Sequence, residues 1–362
     1  MFNYGELLIA FAISLVSTLV LTYPVKKLAM RIGAVDYPNH RKIHKIVTPR
    51  LGGLAMFIGT VLGVLYLTPY HHDLAAIGLG ALIIVITGML DDKYTIRPVV
   101  KLTGQLIAAS ILISADIVIQ KVTLPFFGMV DLGFFSVFLT VLWIVGITNA
   151  INLIDGLDGL ATGVATIALA SMLAMSIIDF RVLAAYLCIT LIGSNLGFLY
   201  HNFYPAKIYM GDTGSNFLGY MIAVVSILGL FKNIALFSFI IPVIILALPI
   251  LDTFLAIIRR MRKKENIMMA DNKHLHYRLL SAGYSHRQSV LILYAFSAIF
   301  GILALLFSEA SLITSLLITL VVLAFMHVIA EIAGLVLGGK KPIVDLLTRP
   351  FRKKARKNHH ED

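Results

Sequence analysis

The chain has one cysteine, Cys188, and it lies inside an apolar run. No disulfide framework can form, and neither a cysteine-based zinc cluster nor a cysteine-pair redox site can be assembled. Charge is scarce too: Asp, Glu, Lys and Arg make up 14% of the 362 residues, against 59% hydrophobic ones, and mean hydropathy is +0.91. This balance excludes a soluble globular core and points to a polytopic membrane protein. Solenoid repeats and low-complexity tracts are absent. A cleavable leader is not expected, because Lys26 and Lys27 follow the first apolar run instead of preceding it.

Apolar runs close to the roughly 20 residues that cross a bilayer extend over Leu7–Tyr23, Gly52–Leu67, Leu74–Leu90, Leu102–Ile119, Phe134–Ile147 and Leu160–Ile178. Val182–Tyr200, Phe217–Leu230, Ile234–Ile258, Val290–Phe307 and Leu312–Leu337 follow. The expected fold is an all-α integral membrane protein with about 11 transmembrane helices, and its termini lie on opposite sides. Segments 24–51, 91–101, 148–160, 201–216, 259–289 and 339–362 hold 7, 3, 0, 1, 8 and 8 Lys+Arg, together 27 of 30. By the positive-inside rule these are cytoplasmic, with the N-terminus outside and the C-terminus inside. Residues 1–338 then form one polytopic domain and 339–362 a basic cytoplasmic tail. The net charge of +11 reflects topology and attraction to anionic membrane lipids, not nucleic-acid binding.

Acids are the rarer charge, 19 against 30 basic residues, yet Asp91, Asp92, Asp155, Asp158 and Asp212 all fall where cytoplasmic-side runs end. An ionisable group beside a span is costly and marks a functional site by default. One such Asp is explained by helix capping; five with few neutralising neighbours suggest a divalent cation. Asp91 and Asp92 are adjacent, and two such charges about 4 Å apart repel by roughly 4 kcal/mol, which a cation or a retained proton would relieve. In Asn149-Ala-Ile-Asn152-Leu-Ile-Asp155-Gly-Leu-Asp158-Gly159, polar residues recur every third position. An unbroken helix would fan them apart. A helix end near Asn149 and Asn152, followed by a glycine turn, returns Asp155 and Asp158 toward the same pocket.

Lys101 follows Arg97-Pro98 at the start of a span, where its ammonium reaches the interface, either to meet a phosphate or to snorkel. Asp212, in Tyr209-Met-Gly-Asp-Thr-Gly-Ser215, enters a span whose N-terminal N–H groups favour an anion; a metal-bridged phosphate satisfies both tendencies, a simple N-cap by Asp212 or Thr213 only one. Lys45 and Arg50 belong to a cationic stretch before Gly52-Gly53. His274 and His276 lie in the longest cytoplasmic loop, without the further ligands a zinc site needs.

Together these segments, spread over nearly the whole chain, resemble the polyprenyl-phosphate N-acetylhexosamine-1-phosphate transferases. The closest resemblance is to the branch that moves GlcNAc-1-phosphate from UDP-GlcNAc to undecaprenyl phosphate and starts teichoic acid or O-antigen type glycans. The similar branch using UDP-MurNAc-pentapeptide carries three consecutive histidines, whereas Tyr277 follows His276 here. The resemblance implies a cell-membrane enzyme with a cytoplasm-facing site that uses Mg²⁺, with Mn²⁺ as an alternative, held by Asn152 and Asp212. It implies Asp91 as base for the lipid phosphate with Asp92 beside it, Lys101 as a phosphate ligand, and Asp155 to Asp158 as the turn that holds uracil. Tyr209 falls at an aromatic stacking position, and Lys45, Arg50, His274 and His276 at nucleotide-sugar contacts. The implied partners are undecaprenyl phosphate, a UDP-N-acetylhexosamine and membrane lipids, with a homodimer left open. A secondary transporter is the competing class; its ion-coupling acids would lie near the bilayer midplane between repeats, whereas these gather at one face.

Overall fold

The computed structural model describes residues 2–37, 47–69, 71–124, 128–229, 240–264 and 274–332. Among these residues 79% are helical and no closed sheet is present. The helices are α1 (Tyr4–Ile32), α2 (Gly52–Leu67), α3 (Asp73–Tyr94), α4 (Pro98–Ser114), α5 (Phe135–Ile154), α6 (Leu160–Ile178) and α7 (Val182–Asn202). After these come α8 (Gly211–Gly229), α9 (Ile240–Ile245), α10 (Ala247–Arg262), α11 (Leu275–Ser281), α12 (His286–Ser308) and α13 (Leu312–Ile332). Two small antiparallel pairs, β1 (Val35–Asp36) with β2 (Thr48–Pro49) and β3 (Lys121–Leu124) with β4 (Gly128–Asp131), join them.

Local chemistry sets the helix ends. Asn3 accepts the backbone N–H of Gly5 at 3.1 Å to open α1, and Gly33 closes it in the left-handed conformation. Pro98 occupies the first turn of α4, where its missing N–H costs nothing. Ser285 and Gln288 form a reciprocal capping box at α12.

Among the described residues, α1, α3, α5, α6, α7, α12 and α13 are long and apolar enough to cross a membrane, and α2 and α4 are shorter apolar helices. The chain is thus a multi-pass α-helical membrane protein. Leu8, Val16 and Val20 on α1 and Leu316, Leu317 and Leu320 on α13 are exposed, as a lipid-facing surface requires. The expected run Ile234–Ile258 is not one helix in its described part: it divides at Leu246 into α9 and α10. Pro249 cannot donate an N–H to Ile245, so the backbone ladder is broken there.

All residues of α8 are buried, enclosed by α2, α3, α5, α6 and α7. It starts at Gly211, ahead of the apolar run expected from Phe217, because its polar first turn is covered by protein instead of lipid. Two close approaches make this possible. A Cβ on Gly53 of α2 would lie 2.1 Å from Gly214 N, and one on Gly88 of α3 would lie 2.5 Å from Thr213 Cα. Both clashes are with backbone, which cannot swing aside.

Gly53→Ala should therefore lower the stability of the detergent-purified protein by about 1–3 kcal/mol, measured by thermal denaturation. Gly78→Ala, on the same helix as Gly88 but with nothing within 4 Å of the added carbon, should be neutral; equal effects would remove close packing on α8 as the cause.

Candidate active site

Five elements bring polar side chains to the N-terminal end of α8. Asp91 and Asp92 close α3, Lys101 sits one turn into α4, Asn149 and Asn152 lie in the last turns of α5, Asp212 opens α8, and Arg50 precedes α2. The adjacent aspartates do not confront each other as the sequence suggested. Successive helical residues project about 100° apart, and the two carboxylates take different partners.

Asp92 is committed to α8. Its Oδ1 accepts the Asp212 N–H at 2.8 Å, and its Oδ2 accepts the Thr213 N–H at 3.0 Å and the Thr213 hydroxyl at 2.6 Å. The cap of α8 thus comes from α3, whereas the only cap the sequence offered, as the alternative to a metal-bridged phosphate, was Asp212 or Thr213 themselves. Buried N–H groups at a helix start must find acceptors, and a carboxylate is the strongest available.

Asp91 faces the pocket instead. Its Oδ2 lies 2.7 Å from Lys101 Nζ, which also contacts Asp212 Oδ2. Asp91 Oδ1 is buried and has no hydrogen-bond partner among the described residues. On the other side of Asp212, Arg50 approaches Oδ1 at 3.5 Å, Asp92 at 3.7 Å and Asp36 at 3.6 Å. Asn152 Nδ2 donates to Asp212 Oδ2 at 3.2 Å and to Asn216 Oδ1 at 3.3 Å. Asn149 donates to Gln105 at 2.8 Å, and Gln105 to Asn216 at 3.4 Å.

The turn after α5 lies alongside. Asp155 is its first residue and neighbours Asp212 and Arg50; its dense protein surroundings, and then the Asp212 charge, push its carboxyl up to about 7 although the residue keeps partial exposure. Asp158 Oδ2 accepts the Ala206 N–H at 2.9 Å, and Asn202 accepts the Gly159 N–H at 3.1 Å, so the turn is tied to the segment between α7 and α8. Tyr209 is bound into the same segment by Tyr209 N–H to Pro49 O at 2.8 Å and Gly52 N–H to Tyr209 O at 3.0 Å. Burial, then the charge of Asp158, pushes its phenol up to about 12.

His274 and His276 lie beyond this turn, their rings parallel at 5.8 Å. His274 Nδ1 donates to Asp252 Oδ2 at 2.9 Å. His276 is enclosed, with neither ring nitrogen hydrogen-bonded among the described residues, and burial pushes its imidazole down to about 4. Lys45 and the tail 339–362 lie outside the described residues.

The arrangement sets Asp91, Asp92, Asp155 and Asp212 against two cations, Lys101 and Arg50. Fully ionised, the four acids would exceed the two cations by two charges; the raised Asp155 carboxyl relieves part of that excess with a proton, a divalent cation would relieve the rest, and the orphaned buried oxygen of Asp91 suits one. The carboxylates are spread around Lys101, and among the described residues only His71, His72 and Asp73, at the far end of α3, bring three potential ligand atoms within 4.8 Å of one another.

The sequence assigned no role to Gln105, Asn216 or Asp252. A signal existed for each: Gln105 and Asn216 stand one helical turn after Lys101 and Asp212, on the same face, and Asp252 is the only charged residue in the run Ile234–Ile258.

Comparison with known proteins bears directly on this geometry. The description "Glycosyl transferase family 4" applies to the family model that matches residues 74–230, a stretch that includes Asp91, Lys101, Asn152 and Asp212. A Bacillus subtilis protein named probable undecaprenyl-phosphate N-acetylglucosaminyl 1-phosphate transferase is 46% identical over 346 residues, 95% of this chain and 97% of its own. A Mycobacterium tuberculosis decaprenyl-phosphate N-acetylglucosaminephosphotransferase is 35% identical, covering 80% of this chain and 79% of its own. An Escherichia coli undecaprenyl-phosphate alpha-N-acetylglucosaminyl 1-phosphate transferase is 27% identical, covering 78% of each. With near full-length similarity of this kind added to a site built from four helices, the chain belongs to glycosyl transferase family 4, the polyprenyl-phosphate sugar-1-phosphate transferases.

Proposed function

We propose that the protein transfers GlcNAc-1-phosphate from UDP-GlcNAc to undecaprenyl phosphate, releasing UMP and supplying the lipid-linked first sugar of a cell-envelope glycan of teichoic acid or O-antigen type. The observation that carries this is the convergence of Asp91, Lys101, Asn152 and Asp212 from four helices at one end of the bundle, with Arg50 beside them. A lipid phosphate anchored in the bilayer and a soluble nucleotide can both reach such a position.

The reaction joins two anions. An oxygen of the lipid phosphate attacks the β-phosphorus of UDP-GlcNAc, the bond from that phosphorus to the bridging oxygen breaks, and UMP departs with the electron pair. Phosphoryl transfer depends mainly on positioning and on stabilising charge. Lys101 and Arg50 supply cations on either side of Asp212 and offset the repulsion between the approaching phosphates. Asp91 holds Lys101 in place. A phosphate with a second pKa near about 6 is mostly ionised at neutral pH, so Asp91 acts electrostatically and proton abstraction is not required. Asp92, fully engaged by α8, positions Asp212 and does not touch substrate. Asp155, Asp158 and Tyr209 line the nucleotide side.

Asp212, Asn152 and Asp91, whose Oδ1 is unpartnered among the described residues, are the residues that would hold Mg²⁺. A bound Mg²⁺ would supply charge neutralisation and stabilisation of the transferring phosphoryl group. The site faces the cytoplasm and the N-terminus lies outside, because the positive-inside rule assigns to the cytoplasm the six segments that hold 27 of 30 Lys+Arg, and Asp91, Lys101, Asn152 and Asp212 belong to those segments.

Purified protein supplied with undecaprenyl phosphate should consume UDP-GlcNAc in preference to other UDP-sugars, and release of UMP should depend on Mg²⁺; turnover unaffected by chelation would remove the metal. Asp212→Asn keeps size and removes charge, so turnover should fall at least about 100-fold with normal thermal stability, a loss of about 2.7 kcal/mol in the transition state. Near-normal rates at limiting Mg²⁺ would make Asp212 a structural residue.

Asp91 and Asp92 should separate by readout. Asp91→Asn should lose activity without losing stability, while Asp92→Ala should lose both, with about 1–3 kcal/mol less stability from the uncapped N–H groups. Identical melting behaviour for the two variants would contradict their division of roles.

A further inference from the structure

The histidine segment is held from an unexpected direction. Asp252, on α10, is essentially fully buried, and both its carboxylate oxygens are used: Oδ2 accepts from His274 Nδ1 at 2.9 Å, and Oδ1 accepts the backbone N–H of Leu275 at 3.0 Å. One carboxylate therefore fixes the imidazole orientation and caps the first turn of α11 together. One residue later the ring of His276 lies parallel to that of His274. On its other side it abuts Gly156: a Cβ there would stand 2.1 Å from His276 Nε2 and 2.5 Å from Cε1. Gly156 is the residue between Asp155 and the tethered Asp158.

The contacts form a continuous path from α10, through His274 and His276, to the acidic turn. The turn is held at Asp158 by Ala206 and at Gly159 by Asn202, and the Asp155 N–H donates to Asn152 O at 3.2 Å, but the Asp155 carboxylate has no hydrogen bond among the described residues. The direction of that carboxylate, toward Asp212 and Arg50, is set by the backbone of the turn, against which His276 packs at Gly156. His276 does so with an enclosed ring whose two nitrogens have no hydrogen-bond partner among the described residues, packing as a wedge against the turn.

We propose that Asp252 is a positioning residue for nucleotide-sugar binding: it acts through His274 and the start of α11 to seat His276 against Gly156 and so sets the turn carrying Asp155 and Asp158. This rests on the UDP-GlcNAc function proposed above. It differs from the direct nucleotide contact that the resemblance implies for His276. Asp252 itself touches no substrate, and the lipid phosphate side, with Asp91 and Lys101, is reached by a different path.

Steady-state kinetics of full-length protein in lipid nanodiscs distinguish this role. Asp252→Asn preserves volume and can still accept the Leu275 N–H, but it replaces the His274 acceptor. It should raise KM for UDP-GlcNAc about tenfold, the effect of one lost charged hydrogen bond, with kcat and KM for undecaprenyl phosphate within about threefold. Asp252→Ala should raise it further, and Asp252→Ala with His274→Ala should be no worse than Asp252→Ala, since the two act in series. Hydrogen exchange of the 275–281 amides should quicken in Asp252→Ala. Equal changes in both KM values, an additive double variant, or unchanged exchange would overturn the proposal. Absence of UDP-GlcNAc turnover in the unsubstituted protein would instead overturn the underlying function, and exchange would still decide whether Asp252 anchors α11.

Discussion

The capping of a fully buried helix start by a carboxylate from another helix is the interaction on which the site depends. α8 begins inside protein, so its first N–H groups cannot turn to water, and leaving them unpaired would cost about 1–3 kcal/mol each. Asp92 satisfies two of them and the Thr213 hydroxyl. Once Asp92 is fixed at the end of α3, Asp91 must face the neighbouring direction, toward Lys101. The same contact fixes the backbone of Asp212. Gly53 and Gly88 let α2 and α3 approach α8 closely enough for it to form. The positive end of the α8 dipole then faces the pocket, where anionic substrates would meet it.

Around that fixed point the charges are deliberately unbalanced. Lys101 and Arg50 flank Asp212, but they do not offset Asp91, Asp92 and Asp155 as well. An apolar membrane protein with few acids concentrates them here, which is costly unless a cation and a phosphate complete the set. The polar amides of Gln105, Asn149, Asn152 and Asn216 form a chain behind the acids and restrict how Asp212 can turn. Rigid helices carry most of these groups, while the nucleotide side is a short turn held by neighbouring segments.

Much of this was legible in the amino-acid order. Apolar runs located α2 and α6 to the residue, because a helix apolar from end to end declares itself by composition alone. α8 was harder to delimit, since protein instead of lipid surrounds it and its first turn is polar. The division at Leu246 was missed because Pro249 sits in a run that is apolar but for a few residues. Asp91, Lys101, Asn152, Asp155 and Asp212 were all identified, and the structure gathers them. What spacing could not show was the partner of each group: that Asp92 turns away from Asp91, that Asp158 is tied to Ala206, and that His276 is enclosed. Asp252 went unremarked because its partner lies 22 residues onward, across a loop.

The central claim is that this cluster of acids and cations governs attack on the β-phosphorus. The direct measurement follows a β-phosphorus label of UDP-GlcNAc through one turnover with undecaprenyl phosphate. All label should enter the lipid product as its second phosphate while unlabelled UMP is released. Label leaving in UDP, with the lipid gaining sugar alone, would mean that the glycosidic bond breaks instead and would contradict the account.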